Sequence, residues 1–175
     1  MITDEIKKLV RDIPDFPKEG ITFHDITPLL QNASGFEKTI NVMADMLKNQ
    51  DINTLIGIEA RGFIFASALS LKLQTGLVVI RKPGKLPYVT IDASYDLEYG
   101  QDTLEIHKDA ITDETRAVIV DDLLATGGTA AAAGQLIEEL GGHIVGYTFL
   151  IELTGLKGAD NLRPYPIWSV MKFPY

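Results

Sequence analysis

Val118-Ile119-Val120-Asp121-Asp122-Leu123-Leu124-Ala125-Thr126-Gly127-Gly128-Thr129 passes from an apolar run through two adjacent acids to a glycine pair in front of an alanine-rich stretch. The β-branched residues predict a strand over Ala117 to Val120 buried on both faces, as parallel sheets require. Thr129 to Leu140 predicts a helix. Two glycines let backbone amides turn inward at the junction, and a helix start adds unpaired N–H groups with partial positive charge. The loop Ala125-Thr126-Gly127-Gly128-Thr129 therefore reads as a phosphate cradle, with the Thr126 and Thr129 hydroxyls as further donors.

Taken alone, a glycine pair before a helix makes an ordinary tight turn, and two acids in a loop are ordinarily solvated. Together they say more. Ionised Asp121 and Asp122 accept hydrogen bonds and donate none, so they do not ligate phosphate but do match two vicinal ribose hydroxyls. The pair and the cradle describe a ribose 5-phosphate. The run lacks the Gly-Lys-Ser/Thr ending of a nucleotide-hydrolase P-loop and the G-x-G-x-x-G of a dinucleotide site.

Outward from this run, Ile2, Ile6, Leu9 and Val10 recur at helical spacing, and Pro14 and Pro17 end the pattern. Gly20 to Leu30 mixes polarities around Pro28 and predicts an ordered loop with at most brief extended structure. A helix from Phe36 leads to a strand at Thr54 to Ile58. A helix over Phe63 to Leu73 leads to a strand at Leu77 to Ile80, apolar on both faces. Pro83 to Asp92 has the composition of a mobile loop. Thr90 to Tyr95 and Thr103 to His107 form a hairpin around Glu98-Tyr99-Gly100-Gln101, and His143 to Ile151 is a further strand. Helices alternating with apolar strands predict an α/β fold with a mainly parallel central sheet, and ligands in such folds sit beyond the carboxyl ends of the strands.

With 175 residues, 46% of them hydrophobic, the chain buries one core but is short for two independent domains. Its formal charge of −8 excludes a general electrostatic grip on nucleic acid or anionic membrane. No run approaches the ~20 apolar residues of a membrane span. The N-terminus has no signal-peptide pattern, and the absence of cysteine favours a cytoplasmic setting. Against this acidic background Arg81, Lys82 and Lys85 place three cations at a strand exit, and Arg61 follows another. A solvated basic loop is one reading; a ligand with several negative charges is the other. The three histidines, His24, His107 and His143, have no zinc-ligand spacing.

The Asp-Asp and Thr-Gly-Gly-Thr run resembles the phosphoribosyl pyrophosphate motif of the type I phosphoribosyltransferases. Phe16-Pro17, Gly20 to Leu30, Ala60-Arg61-Gly62-Phe63, Arg81 to Pro87, Leu97-Glu98-Tyr99-Gly100 and Glu152 to Gly158 are similar to the adenine branch of that family. The resemblance covers nearly every residue. It implies one domain over 1–175, with about 1–35 contributing to a small base-binding hood and about 83–107 forming a flexible loop and a β-hairpin lid.

The implied reaction takes adenine and phosphoribosyl pyrophosphate to AMP and pyrophosphate, with Mg²⁺ bound mainly through the donor and a homodimer as the assembly. Arg61, Arg81, Lys82 and Lys85 then face pyrophosphate. Phe23 and Leu156 enclose the base, which without the resemblance are ordinary core residues, and the backbone near Ile21 and Thr22 reads its edge. Some members carry arginine in place of His24. Glu98 is the candidate acid/base group, acting as proton acceptor or as electrostatic stabiliser of an oxocarbenium-like transition state. Two rivals are a ligand sensor without turnover and an enzyme for hypoxanthine and guanine. The first lacks a basic DNA-binding module here, and the Phe23 and Leu156 segments argue against the second.

Overall fold

The computed structural model describes residues 2–96 and 101–174. It divides into two compact units, Met1–Val42 and Met43–Tyr175. In the first, helix α1 (Ile2–Lys7) is followed by an antiparallel pair of short strands, β1 (Arg11–Ile13) and β2 (Phe23–Asp25), and by helix α2 (Thr27–Gln31). Helix α3 (Ala33–Leu47) runs through the boundary. Gly20 to Leu30 is thus more regular than its composition implies. Pro28 lies in the first turn of α2, where its missing N–H has no helical partner to lose, so it opens a helix rather than breaking one.

The second unit is built on five parallel strands in the order β4-β3-β7-β8-β9, with β3 at Thr54–Ile58, β4 at Gly76–Ile80, β7 at Arg116–Leu124, β8 at His143–Leu153 and β9 at Ile167–Phe173. The chain leaves β3 through α4 (Arg61–Leu73) to β4 on one side, and leaves β7 through α5 (Gly128–Glu139) to β8 on the other. Strand order therefore reverses between β3 and β7. At such a point the loops diverge and open a crevice at the carboxyl ends of the strands.

The two helices cover opposite faces, as right-handed crossovers in opposite directions demand. A Cβ on Gly57 would lie 3.0 Å from the Ala66 Cβ of α4, whereas its strand neighbours Ile56 and Ile58 join Ile119 and the Ala132, Ala133, Leu136 and Ile137 side of α5 in one buried cluster. Both faces of β3 and β7 are covered, which is why their sequences show no polar alternation.

Three features of the sheet differ from the sequence reading. Strand β7 does not end at Val120 but continues to Leu124, so Asp121 and Asp122 are strand residues. Strand β4 is an edge strand with Leu77 41% exposed, so its apolar run is not covered throughout. Strand β9 was not expected: Ile167-Trp168-Ser169-Val170-Met171-Lys172-Phe173 breaks its apolar run at Ser169 and Lys172, yet pairs along β8.

Strands β5 (Thr90–Asp96) and β6 (Gln101–His107) form the antiparallel hairpin. Its root is no free flap, since Ala93, Leu104 and Ile106 are buried in the α5 cluster. The Arg81 and Glu105 backbones bond reciprocally at 3.0 and 2.7 Å and stitch the exit of β4 to β6. Residues 97–100, with the candidate Glu98, lie outside the described residues.

Truncating the fully buried Ile119 in the central strand to alanine is expected to lower unfolding free energy by about 2–5 kcal/mol, read as a shifted urea midpoint with an unchanged slope.

Candidate functional site: a cleft at the reversal of strand order

Two adjoining cavities open where strand order reverses. One, of about 340 Å³, is lined by Glu59, Ala60, Arg61, Lys82, Tyr95, Leu104, Asp121, Asp122 and Thr129. The other, of about 190 Å³, shares Arg61, Asp121, Asp122 and Thr129 with it and continues along the loop from Leu123 to Gly127. Sequence-distant Arg61, Lys82, the acid pair and the glycine loop are thereby brought together.

Both long helices of the unit start here, and among the described residues neither start has a side-chain cap: α4 begins after Ala60, α5 after Gly127. Uncapped N–H groups and the positive ends of the helix dipoles therefore face the cleft from two sides. Gly127 has φ +85°, a left-handed conformation that glycine adopts without penalty. A Cβ there would meet the Gly158 carbonyl oxygen at 2.4 Å, and one on Gly158 would meet the Ala125 oxygen at 2.1 Å. The loop is thus shaped by close backbone contact with the segment after β8. Asn161 fixes it further by donating through Nδ2 to the Thr126 carbonyl at 2.7 Å. Gly158 lies in a quoted motif, but neither residue carries a sequence signal for this contact.

Asp122 is buried and paired to Arg61, with Nε to Oδ2 at 2.5 Å. Asp121 accepts the Asp122 backbone N–H through Oδ1 at 2.8 Å. A Cβ on Gly62 would come within 3.0 Å of that oxygen and 2.7 Å of the Val120 carbonyl, so only glycine lets the first turn of α4 pack onto the strand end. Burial raises the Asp121 pKa well above the ordinary carboxylate value, and the neighbouring Asp122 charge raises it further. The Asp122 N–H and Arg61 pull the other way and are outweighed.

Across the cleft Glu59, which sequence reasoning did not single out, organises the basic cluster. It accepts the Arg81 guanidinium on both oxygens at 3.2 Å and the Lys82 backbone N–H at 2.8 Å. Burial alone would raise its pKa, but these hydrogen bonds and the charges of Arg81 and Lys85 leave it lowered. The visible signal was a carboxylate at a strand exit, immediately before Ala60-Arg61. Lys82 is bound through Nζ to Asp102, while Lys85 is exposed and its ammonium forms no ion pair among the described residues.

The base-side candidates are distributed over both units. Thr22 is exposed and Phe23 half-buried in β2, its ring 5.3 Å edge-on from Phe16, while Leu156 is half-buried in a 3₁₀ turn after β8. Ile21 spends its N–H on the Lys18 carbonyl and its own carbonyl on the Phe16 N–H. His24 is held by Asp12, Nδ1 to Oδ1 at 2.7 Å, and so serves as a strand-pair contact within the first unit. Among the described residues no three His, Cys, Asp or Glu side chains are grouped to hold a metal ion.

The fold and cleft are those of a phosphoribosyltransferase, and the model of the phosphoribosyl transferase domain matches residues 23–172. The adenine phosphoribosyltransferase of Syntrophotalea carbinolica is 51% identical over 170 residues, 97% of this chain and 99% of that protein. The crystal structure of the adenine phosphoribosyltransferase from Thermoanaerobacter pseudethanolicus superposes with a TM-score of 0.95 at 50% identity, covering 98% of this chain and 99% of that one. The Saccharomyces cerevisiae enzyme, crystallised with an imino-altritol bisphosphate and adenine, gives a TM-score of 0.91 at 40% identity, with 97% and 98% covered. The chain belongs to the phosphoribosyltransferase family, and within it to the adenine phosphoribosyltransferases.

The raised Asp121 pKa has a measurable sign. Below the unfolded-chain value of about 4 the group is neutral in both states and costs nothing; as pH rises through the folded-state pKa, ionising it becomes costlier in the fold and stability is lost. Asp121→Asn is therefore expected to gain stability relative to the parent as pH rises above about 4, levelling off beyond the folded-state pKa, as read by ligand-free urea melts across pH.

Proposed function

We propose that this chain transfers the 5-phosphoribosyl group of phosphoribosyl pyrophosphate to adenine, giving AMP and pyrophosphate. The observation that carries this reading is the pair of uncapped helix starts flanking Asp121 and Asp122 at the reversal of strand order. One helix start suits one phosphate; two, with acceptor-only groups between them, suit a sugar with phosphates at both ends.

The 5-phosphate is assigned to the loop Ala125 to Thr129, whose amides and hydroxyls donate to it. The ribose hydroxyls donate to Asp121 and Asp122, and Arg61 pairs with Asp122 and orients it. Pyrophosphate is assigned to Arg61 at the α4 start and to Lys82 and Lys85 after β4, with Arg81, whose guanidinium is already bound by Glu59, supplying position as well as charge. As the glycosidic bond to pyrophosphate lengthens, negative charge grows beside these cations and positive charge grows on the sugar beside the carboxylates. Adenine is assigned to the segments of Thr22, Phe23 and Leu156, and its departing proton, or the charge on the sugar, to Glu98, all four by their resemblance to the family.

When bound, Mg²⁺ would neutralise charge on the departing pyrophosphate. Among the described residues the carboxylates lining the cleft are Glu59, Asp121 and Asp122, engaged by Arg81 and Arg61, a donor set that suits an ion arriving with the polyphosphate and its waters more than a resident one. We also infer a cytoplasmic homodimer. The lack of cysteine supports the compartment. Ile64 and Leu71, exposed two turns apart on one face of α4, support self-association.

With Mg²⁺ and phosphoribosyl pyrophosphate, purified protein is expected to convert adenine faster than hypoxanthine or guanine; turnover of only the oxopurines would overturn the substrate assignment. Asp121→Asn with Asp122→Asn should weaken donor binding at least tenfold, since each hydrogen bond to a charged group contributes ~1.5–3 kcal/mol. Light scattering should give twice the chain mass, and Leu71→Glu should reduce it towards the monomer.

A further inference from the structure

We propose that Asp102 is a positioning residue that competes with pyrophosphate for the Lys82 ammonium and so sets how tightly the donor and the product are held. This rests on the assignment of Lys82 to pyrophosphate. Neither the motifs nor the assigned reaction gives Asp102 a role.

The base of Lys82 is fixed. Its N–H is bound by Glu59, the Arg81 side chain is bound by both oxygens of the same carboxylate, and the Arg81 backbone is bridged to Glu105. Only the four-carbon stem is left to swing. The ammonium lies on Asp102 Oδ2, and the side chain still lines the cleft shared by Arg61, Asp121, Asp122 and Thr129.

Asp102 is itself held ready. The Thr103 N–H donates to Oδ1 at 2.8 Å, and the hydroxyl of Tyr95, its directly opposed cross-strand partner in the hairpin, donates to Oδ2 at 3.2 Å. Tyr95 also lines the cleft. Lys82 thus has two stations within reach of one stem: a single preorganised carboxylate, and a ligand that brings several negative charges. Pyrophosphate wins while it is present. When it dissociates, Asp102 takes the cation back, so the Lys82 ammonium is paired in both states, while Asp102 keeps the Thr103 N–H and the Tyr95 hydroxyl when the cation leaves.

The pair is half-exposed to solvent, so the competition is modest. Replacing Asp102 with asparagine should tighten binding of pyrophosphate in Mg²⁺ buffer by about three- to fivefold by calorimetry, as expected for an exposed ion pair. AMP affinity, which reads the sugar-phosphate cradle, should be unchanged. Lys82→Met should weaken pyrophosphate binding, and in that background Asp102→Asn should have no further effect. Tyr95→Phe, which leaves Asp102 with one donor fewer and a firmer hold on Lys82, should shift affinity in the opposite direction to Asp102→Asn.

Weakened binding in Lys82→Met with no change in Asp102→Asn overturns the competition and leaves the Lys82 assignment standing. Unchanged binding in Lys82→Met removes Lys82 from the anion site and the competition with it. An Asp102→Asn effect that persists in the Lys82→Met background, or that alters AMP and pyrophosphate binding alike, makes Asp102 a structural residue only.

Discussion

A buried strand that continues as two adjacent carboxylates is the constraint on which the rest of this molecule depends. Strand β7 is apolar and covered on both faces through Val120, then carries Asp121 and Asp122 beside the end of β3. Two like charges there, one buried and one half-buried, oppose folding, as the raised Asp121 pKa records. What makes them tolerable is local: Arg61 on Asp122, a backbone amide on Asp121, and the uncapped starts of α4 and α5 on either side. On the proposed reading, the features that offset the acid pair are also those that serve a phosphorylated sugar.

The surrounding structure acts through backbone approach as much as through side chains. Gly62 brings the first turn of α4 onto Asp121, and Gly127 and Gly158 bring the phosphate loop against the segment that carries Leu156. Any Cβ at these positions would push apart elements whose spacing defines the cleft. On the opposite wall Glu59 plays a similar part by charge. One carboxylate orders the Arg81 side chain and the Lys82 backbone, and leaves the Lys82 ammonium to move. The backbone of this wall is therefore held by hydrogen bonds, while the Lys82 ammonium sits at the end of a four-carbon stem.

The described strands of the hairpin are anchored in the core and reach the cleft through Tyr95 and Leu104. Ala93, Leu104 and Ile106 tie it into the same cluster as α5, and Tyr95 and Asp102 face each other across it. Its position is thus coupled to the helix whose start borders the cleft.

The order of strand, acids, glycines and helix at Val118 to Thr129 was legible in the sequence because each property is local: β-branching favours extension, glycine permits the left-handed turn, alanine favours helix. The alternation of helices with apolar strands gave the parallel sheet for the same reason. The full extent of β7, the pairing of β9 and the helix at Pro28 were not legible, since ladder partners and the first-turn position of a proline are decided by neighbours far along the chain. Among the site residues, Arg61, Lys82, Asp121 and Asp122 announced themselves by charge at strand ends. Glu59 as an anchor, Asp102 as a partner of Lys82, and Gly158 and Asn161 as supports of the phosphate loop were decided only by tertiary structure: strand order, hairpin register and backbone-to-backbone approach bring them to their partners, and no short-range pattern encodes a contact made across 20 or more residues of chain.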